Sequence, residues 1–309
     1  MFANVKFFIN RTENLGGPSI FGHRLKVELI KKGWRWNYLK PQVSYIFSAG
    51  FFRPFCKNIL RLDGLYFDSE NTLGDSDKMN RPMFKAYEKA EGVIFQSEFN
   101  RLQYKIFAGE LDCPNTIIHN GVPLEFASQG DKINYGFKKT LIASAKWGPY
   151  KRLDSVIEGF LEYGCSDVGL VIIGWGIDKK IEHPNIKYVG KILPEDLPRY
   201  LRGGNAFIHL SWIDNCPNTV VEALSCGLPV LCSHNGGTKE VVGSNGIILQ
   251  CEDEYDFKKV RIFKPPKCDK RLVAKGIENI LNWDKPINSE YLKIDYIASE
   301  YMKFAHQLL

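Results

Sequence analysis

The chain has 309 residues, enough for two domains, and a hydrophobic content of 44%, which excludes a disordered polymer. Its net charge of +6 is spread thinly: cations exceed acids by four in residues 1–125 and by two in residues 126–309, too little to demand a nucleic-acid partner. Eight scattered cysteines without a C-x-x-C pair argue against zinc and for free thiols in a reducing, cytoplasmic compartment. No apolar run reaches the roughly 18 residues of a membrane span, and the N-terminus lacks the apolar core of a signal peptide. The positive N-terminal half suits peripheral contact with an anionic membrane, although a solvated surface is the simpler reading.

In chain order, Val5 to Ile9 is predicted as the first strand, followed by Gly16-Gly17-Pro18 and an amphipathic helix from Ser19 to Lys32, stopped by Gly33. A Gly-rich loop between strand and helix presents backbone N–H groups to an anion; a plain tight turn is an equal reading. Val43 to Ser48 and Ile59 to Leu62 read as strands, the second running into Asp63-Gly64. An acid at a strand's carboxyl end faces the ligand edge of an open α/β sheet, so Asp63 is a catalytic candidate, balanced against a turn-forming Asp-Gly pair. Residues 68–82 read as a polar loop. The Asp75-Ser76-Asp77 triplet in it has no strand before it and reads as solvated rather than metal-binding. Met83 to Ala90 is predicted helical, Gly92 to Ser97 a buried strand, Glu98 to Phe107 a helix and Thr116 to Ile118 a strand leading to His119. No second His or Cys supports His119 as a metal ligand. A polar stretch at 126–138 reads as a linker between a first domain, 1–125, and a second, 139–288.

Thr140 to Lys146 opens the second domain as a strand. Lys146 and Lys151 lie five apart, Arg152 follows, and a helix is expected from Leu153 to Tyr163. Cations just before a helix fit a phosphate, though taken alone they favour a solvated loop, and it is the later Asp214–Glu222 motif that turns the reading to phosphate. Gly169 to Ile173 is a buried strand entering Gly174-Trp175-Gly176; Ile186 to Val189 is a strand ending at Gly190-Lys191; Leu197 to Leu201 is a helix. The most informative stretch runs from Asn205 to Val242. It reads as a strand at Ala206 to Leu210, a loop with Asp214 and Pro217, a helix at Thr219 to Ser225 stopped by Gly227, a strand at Leu228 to Cys232, and a Gly236-Gly237 turn. Glu222 sits among Val220, Val221, Ala223 and Leu224. A carboxylate on a buried helix face needs a partner, so Glu222 points to a ligand. His209 reads as a packed residue. Residues 252–270 are charged and irregular, and helices are expected at Arg271 to Asn282 and Glu290 to Gln307.

These residues resemble the retaining glycosyltransferases of family 4. Asp214 and Glu222 match the two acids of that family's Glu-x7-Glu motif, and EALSCGLPV, Glu222 to Val230, matches closely. AEGVIFQSEFN followed by IIHNGV is similar to the end of the family's first domain. The resemblance implies an α/β GT-B fold, two Rossmann-like domains with a cleft between them, and a final helix, 289–309, crossing back to the first domain. It implies transfer of a sugar, with retention, from a nucleotide-sugar to a glycan, lipid or other hydroxyl, with no metal and no cofactor. It further implies that Glu222 binds the donor ribose, that Asp214 touches the sugar, and that Lys146, Lys151 and Arg152 grip the diphosphate, Lys151 steadying the leaving group. Gly174, Gly190, Lys191, Asn215, Cys216, Asn218 and Thr219 then line the donor. Gly16 and Gly17 lie under the phosphates, and Asp63 lies near the reacting sugar. The chain departs from the family at Asp214, usually Glu, and at Lys146, usually Arg. NCPNT also replaces a Gly-rich loop, and Pro217 there has no N–H for a phosphate. A strand–helix unit is missing between Lys40 and Lys57, which leaves open a non-catalytic nucleotide-sugar-binding partner. An epimerase on the same fold is the other alternative. Donor turnover and product analysis separate the three.

Overall fold

The computed structural model describes residues 4–12, 17–68, 75–258 and 264–309. Gly16 lies outside them. The chain falls into two compact units, one of residues 1–123 with 290–309 and one of residues 124–289.

In the first unit the order is β1 (Lys6–Ile9), α1 (Gly17–Lys31), β2 (Arg35–Trp36), β3 (Val43–Phe47), β4 (Lys57–Arg61), α2 (Ser76–Tyr87), β5 (Gly92–Phe95), α3 (Glu98–Ala108) and β6 (Asn115–Ile117). The strands pair in parallel in the order β2-β1-β3-β4-β5-β6. A parallel sheet is covered on both faces, so its strands are apolar throughout rather than alternating. In β3, Tyr45 and Phe47 pack with Phe7, Phe21, Leu25 and Trp34, while Ile46 packs on the other face with Leu60, Tyr87 and Tyr104. The unit's last helix comes from the far end of the chain. It buries Ile297, Ala298, Tyr301 and Ala305 into the first of these clusters, and the Tyr45 hydroxyl donates to the Tyr301 carbonyl at 2.8 Å.

The second unit runs β7 (Lys139–Lys146), α4 (Leu153–Tyr163), β8 (Val168–Trp175), β9 (Ile186–Gly190), α5 (Leu197–Arg202), β10 (Ala206–His209), α6 (Asn218–Ser225), β11 (Val230–Ser233), α7 (Thr238–Val242), β12 (Gly246–Leu249) and α8 (Lys270–Leu281); the helix at Ile294–Leu308 in the first unit is then α9. The strand order is β12-β11-β10-β7-β8-β9, again parallel. Leu141, Ala143, Leu170, Ile172 and Ile208 meet Val156, Phe160, Val273 and Ile277 of α4 and α8. Residues 124–138 belong to this unit, where the Arg202 guanidinium donates to the carbonyls of Glu125 at 3.0 Å, Ala127 at 3.2 Å and Asp131 at 2.8 Å.

Most predicted elements stand within a residue or two of their expected bounds. One expectation is corrected: residues 76–82 are not loop but the first turns of α2, and Asp75 is the residue at its N-terminal cap. The helix is fixed by polar tertiary bonds that a hydrophobic pattern does not display. The Ser76 hydroxyl donates to Asp68 at 2.6 Å, and the Asn80 amide exchanges two bonds of 2.8 Å with the backbone of Tyr66. Between β3 and β4 the chain crosses in residues 48–56 with no helix, where the sequence reading finds a unit missing.

Truncating a large buried aromatic side chain leaves a cavity, which costs about 3–5 kcal/mol. Tyr301 is fully buried against Tyr45 and Phe21. Tyr301→Ala is expected to lower stability by about 3–5 kcal/mol in urea denaturation followed by fluorescence. A change under about 1 kcal/mol would mean that α9 is not part of the unit's core.

Candidate functional site

Because every strand of the second unit runs the same way, their carboxyl ends share one edge, the edge where open α/β sheets bind ligands. Lys146 ends β7, and Gly174 lies one residue before the end of β8. Gly190 ends β9 with Lys191 just after it, and His209 ends β10. Asp214, Asn215 and Cys216 lie in the loop that follows β10. Gly174 is required at its position: φ is +120°, and a Cβ would lie 1.8 Å from the Ala145 carbonyl oxygen. Lys146 and Lys191 are exposed, and the Lys191 ammonium lies 5.3 Å from the Trp175 ring centre.

The loops at this edge are stitched together by backbone bonds. The Trp212 N–H donates to the Tyr150 carbonyl at 2.9 Å, and the Gly237 N–H to the Asp214 carbonyl at 2.8 Å. Ile213 and Arg152 both hold φ of +52°. For a β-branched residue such as Ile213 that conformation is an outlier, and outliers of this kind cluster at functional sites.

At the centre the Lys151 ammonium bonds the Asp214 carboxylate. The Ser211 hydroxyl donates to the same oxygen at 3.3 Å, and His209 Nε2 lies 3.5 Å from it. Burial disfavours the Asp214 charge, but Lys151 and then His209 outweigh it and hold the carboxyl far below the usual carboxylate range. Burial also lowers Lys151, yet Asp214 more than restores it, so the ammonium value is raised. For His209 burial is the largest influence and lowers the ring's value, Asp214 opposing and Lys151 reinforcing that shift. His209, expected from the sequence to be a packed residue, is buried and also faces Asp214.

Arg152, expected at the donor diphosphate, is turned into the interior of the unit. Its guanidinium is buried and grips Glu252 through two bonds of 2.8 and 2.9 Å, with a further bond of 3.2 Å to Cys268 Sγ. Asn235 donates to the same Glu252 at 2.9 Å. Cys251, Glu252 and Cys268 hold their ligand atoms within 4.8 Å of one another. Both Glu252 oxygens already face Arg152, so this cluster is an ion pair rather than an open cation site.

Asn218 and Thr219 begin α6, with Pro217 at its N-terminal cap, and Glu222 sits one turn in, buried at 5% exposure. In the first unit Gly17 opens α1. Asp63 follows β4, where it accepts bonds from Ser48, from the buried Arg61 and, at 3.1 Å, from Gln96. Arg61 also bonds Asn120, and its guanidinium lies 4.7 and 4.8 Å from the Phe21 and Phe47 ring centres. Asp63 is thus the counter-ion of a buried arginine, a duty the sequence reading did not foresee. His119 Nδ1 is 2.6 Å from the Gln96 carbonyl oxygen.

A carboxyl whose folded value is depressed adds stability that is complete above its ordinary value of 3.8 and is lost as pH falls toward the folded value. Asp214→Asn leaves Lys151 buried without its partner and is expected to cost about 3 kcal/mol at pH 7. The deficit against wild type should shrink at about pH 3, below that ordinary value. Urea midpoints at the two pH values measure it; a deficit that stays constant or grows contradicts the pairing.

Residues 138–260 match the family profile described as glycosyl transferases group 1. A stretch of 68 residues is 35% identical to the O-antigen chain mannosyltransferase B of Escherichia coli, covering 22% of this chain and 18% of that protein's length. Among solved structures the chain is similar to AviGT4, a glycosyltransferase involved in avilamycin A biosynthesis, with a TM-score of 0.64 and 15% identity over 99% of this chain and 98% of that one. It is also similar to HepE of Anabaena in complex with UDP-glucose, at a TM-score of 0.62 and 13% identity over 98% and 97% of the two chains. For sucrose-phosphate synthase from Thermosynechococcus elongatus the TM-score is 0.57, at 13% identity over 99% and 94%. At such identities the likeness establishes the fold, and that fold is GT-B. Residues 138–260 of this GT-B chain form a group 1 glycosyltransferase domain.

Proposed function

We propose that the protein transfers a sugar from a nucleotide-sugar to an acceptor hydroxyl of a glycan or lipid-linked glycan, retaining the anomeric configuration without a metal ion. One observation carries the reading: the Lys151–Asp214 pair stands at the ligand edge of the sheet, inside the segment that matches the family profile. In this proposal Lys151 faces the donor diphosphate, oriented by Asp214. Its fixed charge meets the negative charge that grows on the leaving phosphate as the glycosidic bond breaks, and preorganisation makes that contact effective. Lys146 and Lys191, exposed at the ends of β7 and β9 on either side of β8, add the positive field that draws the donor in. Asn215, Cys216, Asn218 and Thr219 form the loop and helix start around the donor, and buried Glu222 accepts hydrogen bonds from the ribose. Among the described residues no helix is long and apolar enough to cross a membrane.

The donor is tested first by thermal shift against nucleotide-sugars. UDP-glucose heads the panel, since it is the compound in the HepE complex, and a mannose nucleotide follows, given the name of the Escherichia coli relative. A donor at 100 times its dissociation constant stabilises by about 2.7 kcal/mol. Glu222→Gln is expected to weaken that donor by about 1.5–3 kcal/mol, the worth of hydrogen bonds to a charged group. Unchanged affinity in calorimetric titration removes Glu222 from the site. Binding without turnover in the wild type would favour a non-catalytic partner.

Lys151→Ala is expected to lower kcat by about 10²–10³, the usual loss when one preorganised charge contact is removed. An interaction that strengthens in the transition state lowers kcat, whereas one equal in both states only raises KM. Steady-state kinetics with the donor found above distinguishes them, and a normal kcat with raised KM would leave the leaving group without this lysine.

A further inference from the structure

The first unit carries a surface that the donor site does not use. Residues 29–62 contain seven cations and no Asp or Glu. Four of those cations are paired with acids elsewhere in the unit: Lys31 with Glu28, Lys32 with Asp295, Lys57 with Glu91, and Arg61 with Asp63. Among the described residues no carboxylate pairs with the other three, Arg35, Lys40 and Arg53.

Large apolar groups stand beside them in solvent. Phe51 and Phe55 are fully exposed, Leu39 is 83% exposed and Tyr38 is 62% exposed. Single exposed apolar residues are ordinary, but a cluster marks an interaction site. The two loops that carry them are joined. The Arg53 guanidinium bonds the Tyr38 carbonyl and stacks 3.9 Å from the Phe8 ring centre and 4.5 Å from that of Tyr38. Phe8 also packs against Trp36, ring centres 5.3 Å apart, and the Lys26 ammonium lies 3.8 Å from the Trp36 ring centre.

The loop of residues 48–56 is also pinned. The Arg53 N–H donates to the Asn58 side chain at 2.9 Å, and Asn58 returns a bond of 2.9 Å to the Arg53 carbonyl and one of 3.1 Å to the Cys56 carbonyl. Phe55 stands within that clasp at φ +60°, a conformation rare for a bulky residue.

We propose that this face, formed by Tyr38, Leu39, Lys40, Phe51, Arg53 and Phe55, docks the protein on an anionic lipid bilayer. Aromatic rings suit the interface between headgroups and acyl chains, and cations beside them meet acidic headgroups. Insertion of a few apolar side chains together with basic residues is the two-signal arrangement that peripheral binding requires. A single-stranded nucleic acid also uses rings and cations, but it reads ring faces; Leu39, among the most exposed groups here, has none. The proposal rests on these residues and not on the transferase reading.

The test is co-sedimentation of the full chain with vesicles of phosphatidylcholine alone and of phosphatidylcholine mixed with phosphatidylglycerol, at low and at high salt. The wild type is expected to bind the mixed vesicles at low salt, to release with added salt, and to leave the neutral vesicles unbound. Phe51→Ser combined with Phe55→Ser is expected to weaken partitioning roughly ten-fold or more, with an unchanged thermal transition, since neither side chain is buried. Lys40→Glu is a second variant, expected to weaken it by about five-fold or more and to flatten the salt dependence. No binding to anionic vesicles at low salt overturns the proposal, and so does equal binding by the double variant. It also falls if the same variants leave vesicle binding intact while abolishing binding to a single-stranded oligonucleotide or self-association in ultracentrifugation.

Discussion

Strand direction is the constraint on which the rest depends. Each described sheet is wholly parallel, so the chain returns outside the sheet after every strand and each carboxyl end falls on one edge. Both faces of such a sheet are covered, and its interior has no place for unpaired charge. Charged groups therefore gather at the strand ends, as Lys151, Asp214, Arg152 and Glu252 do in the second unit and as Arg61 and Asp63 do in the first.

Consecutive residues in the second unit serve two different acids. Lys151 turns to Asp214, 63 positions on, and Arg152 turns to Glu252, 100 positions on. A continuous helix places neighbours about 100° apart on one cylinder. Here the chain instead leaves a short 3-10 turn, takes the left-handed conformation at Arg152 and only then enters α4. The turn fixes a divergence that sets Lys151 against Asp214 at the carboxyl edge of the sheet and Arg152 against Glu252 in the interior. Buried pairs of this kind add little net stability, because desolvation offsets attraction, but losing one partner is costly. Their effect is to hold the loops in one arrangement.

Legibility in the sequence followed the range of each interaction. Apolar runs closed by glycine or turn residues gave β7, β8, β10 and α6 nearly to the residue, since strand and helix periods are local. Asp214 and Glu222 stood out because a carboxylate in or beside an apolar stretch needs a reason. Glu252 did not stand out: it lies in a charged, irregular stretch, and its pairing with Arg152 spans a hundred residues. The same holds for Arg61, an arginine at the end of an apolar strand: it bonds Asp63 and Asn120, and Asp63 is itself held by Ser48 and Gln96 from other segments. The start of α2 was missed because its support comes from Asp68 and Tyr66, outside the helix. His209 could have been found by asking which side chains end a strand at the ligand edge.

The missing helix between β3 and β4 connects the fold to the surface of the first unit. A parallel crossover normally needs a dozen or more residues and a helix that covers the sheet. Here residues 48–56 cross without a helix; Phe52 packs on the core beside Ile46 and Leu60, while Phe51 and Phe55 face solvent. A segment so apolar stays soluble only if charge offsets it, and the charge in residues 29–62 is all of one sign. Under the transferase and bilayer proposals together, the two losses fit each other. A small first unit holds an acceptor weakly, but a surface that keeps the protein and a lipid-linked acceptor in one plane raises their effective concentration without any new contact.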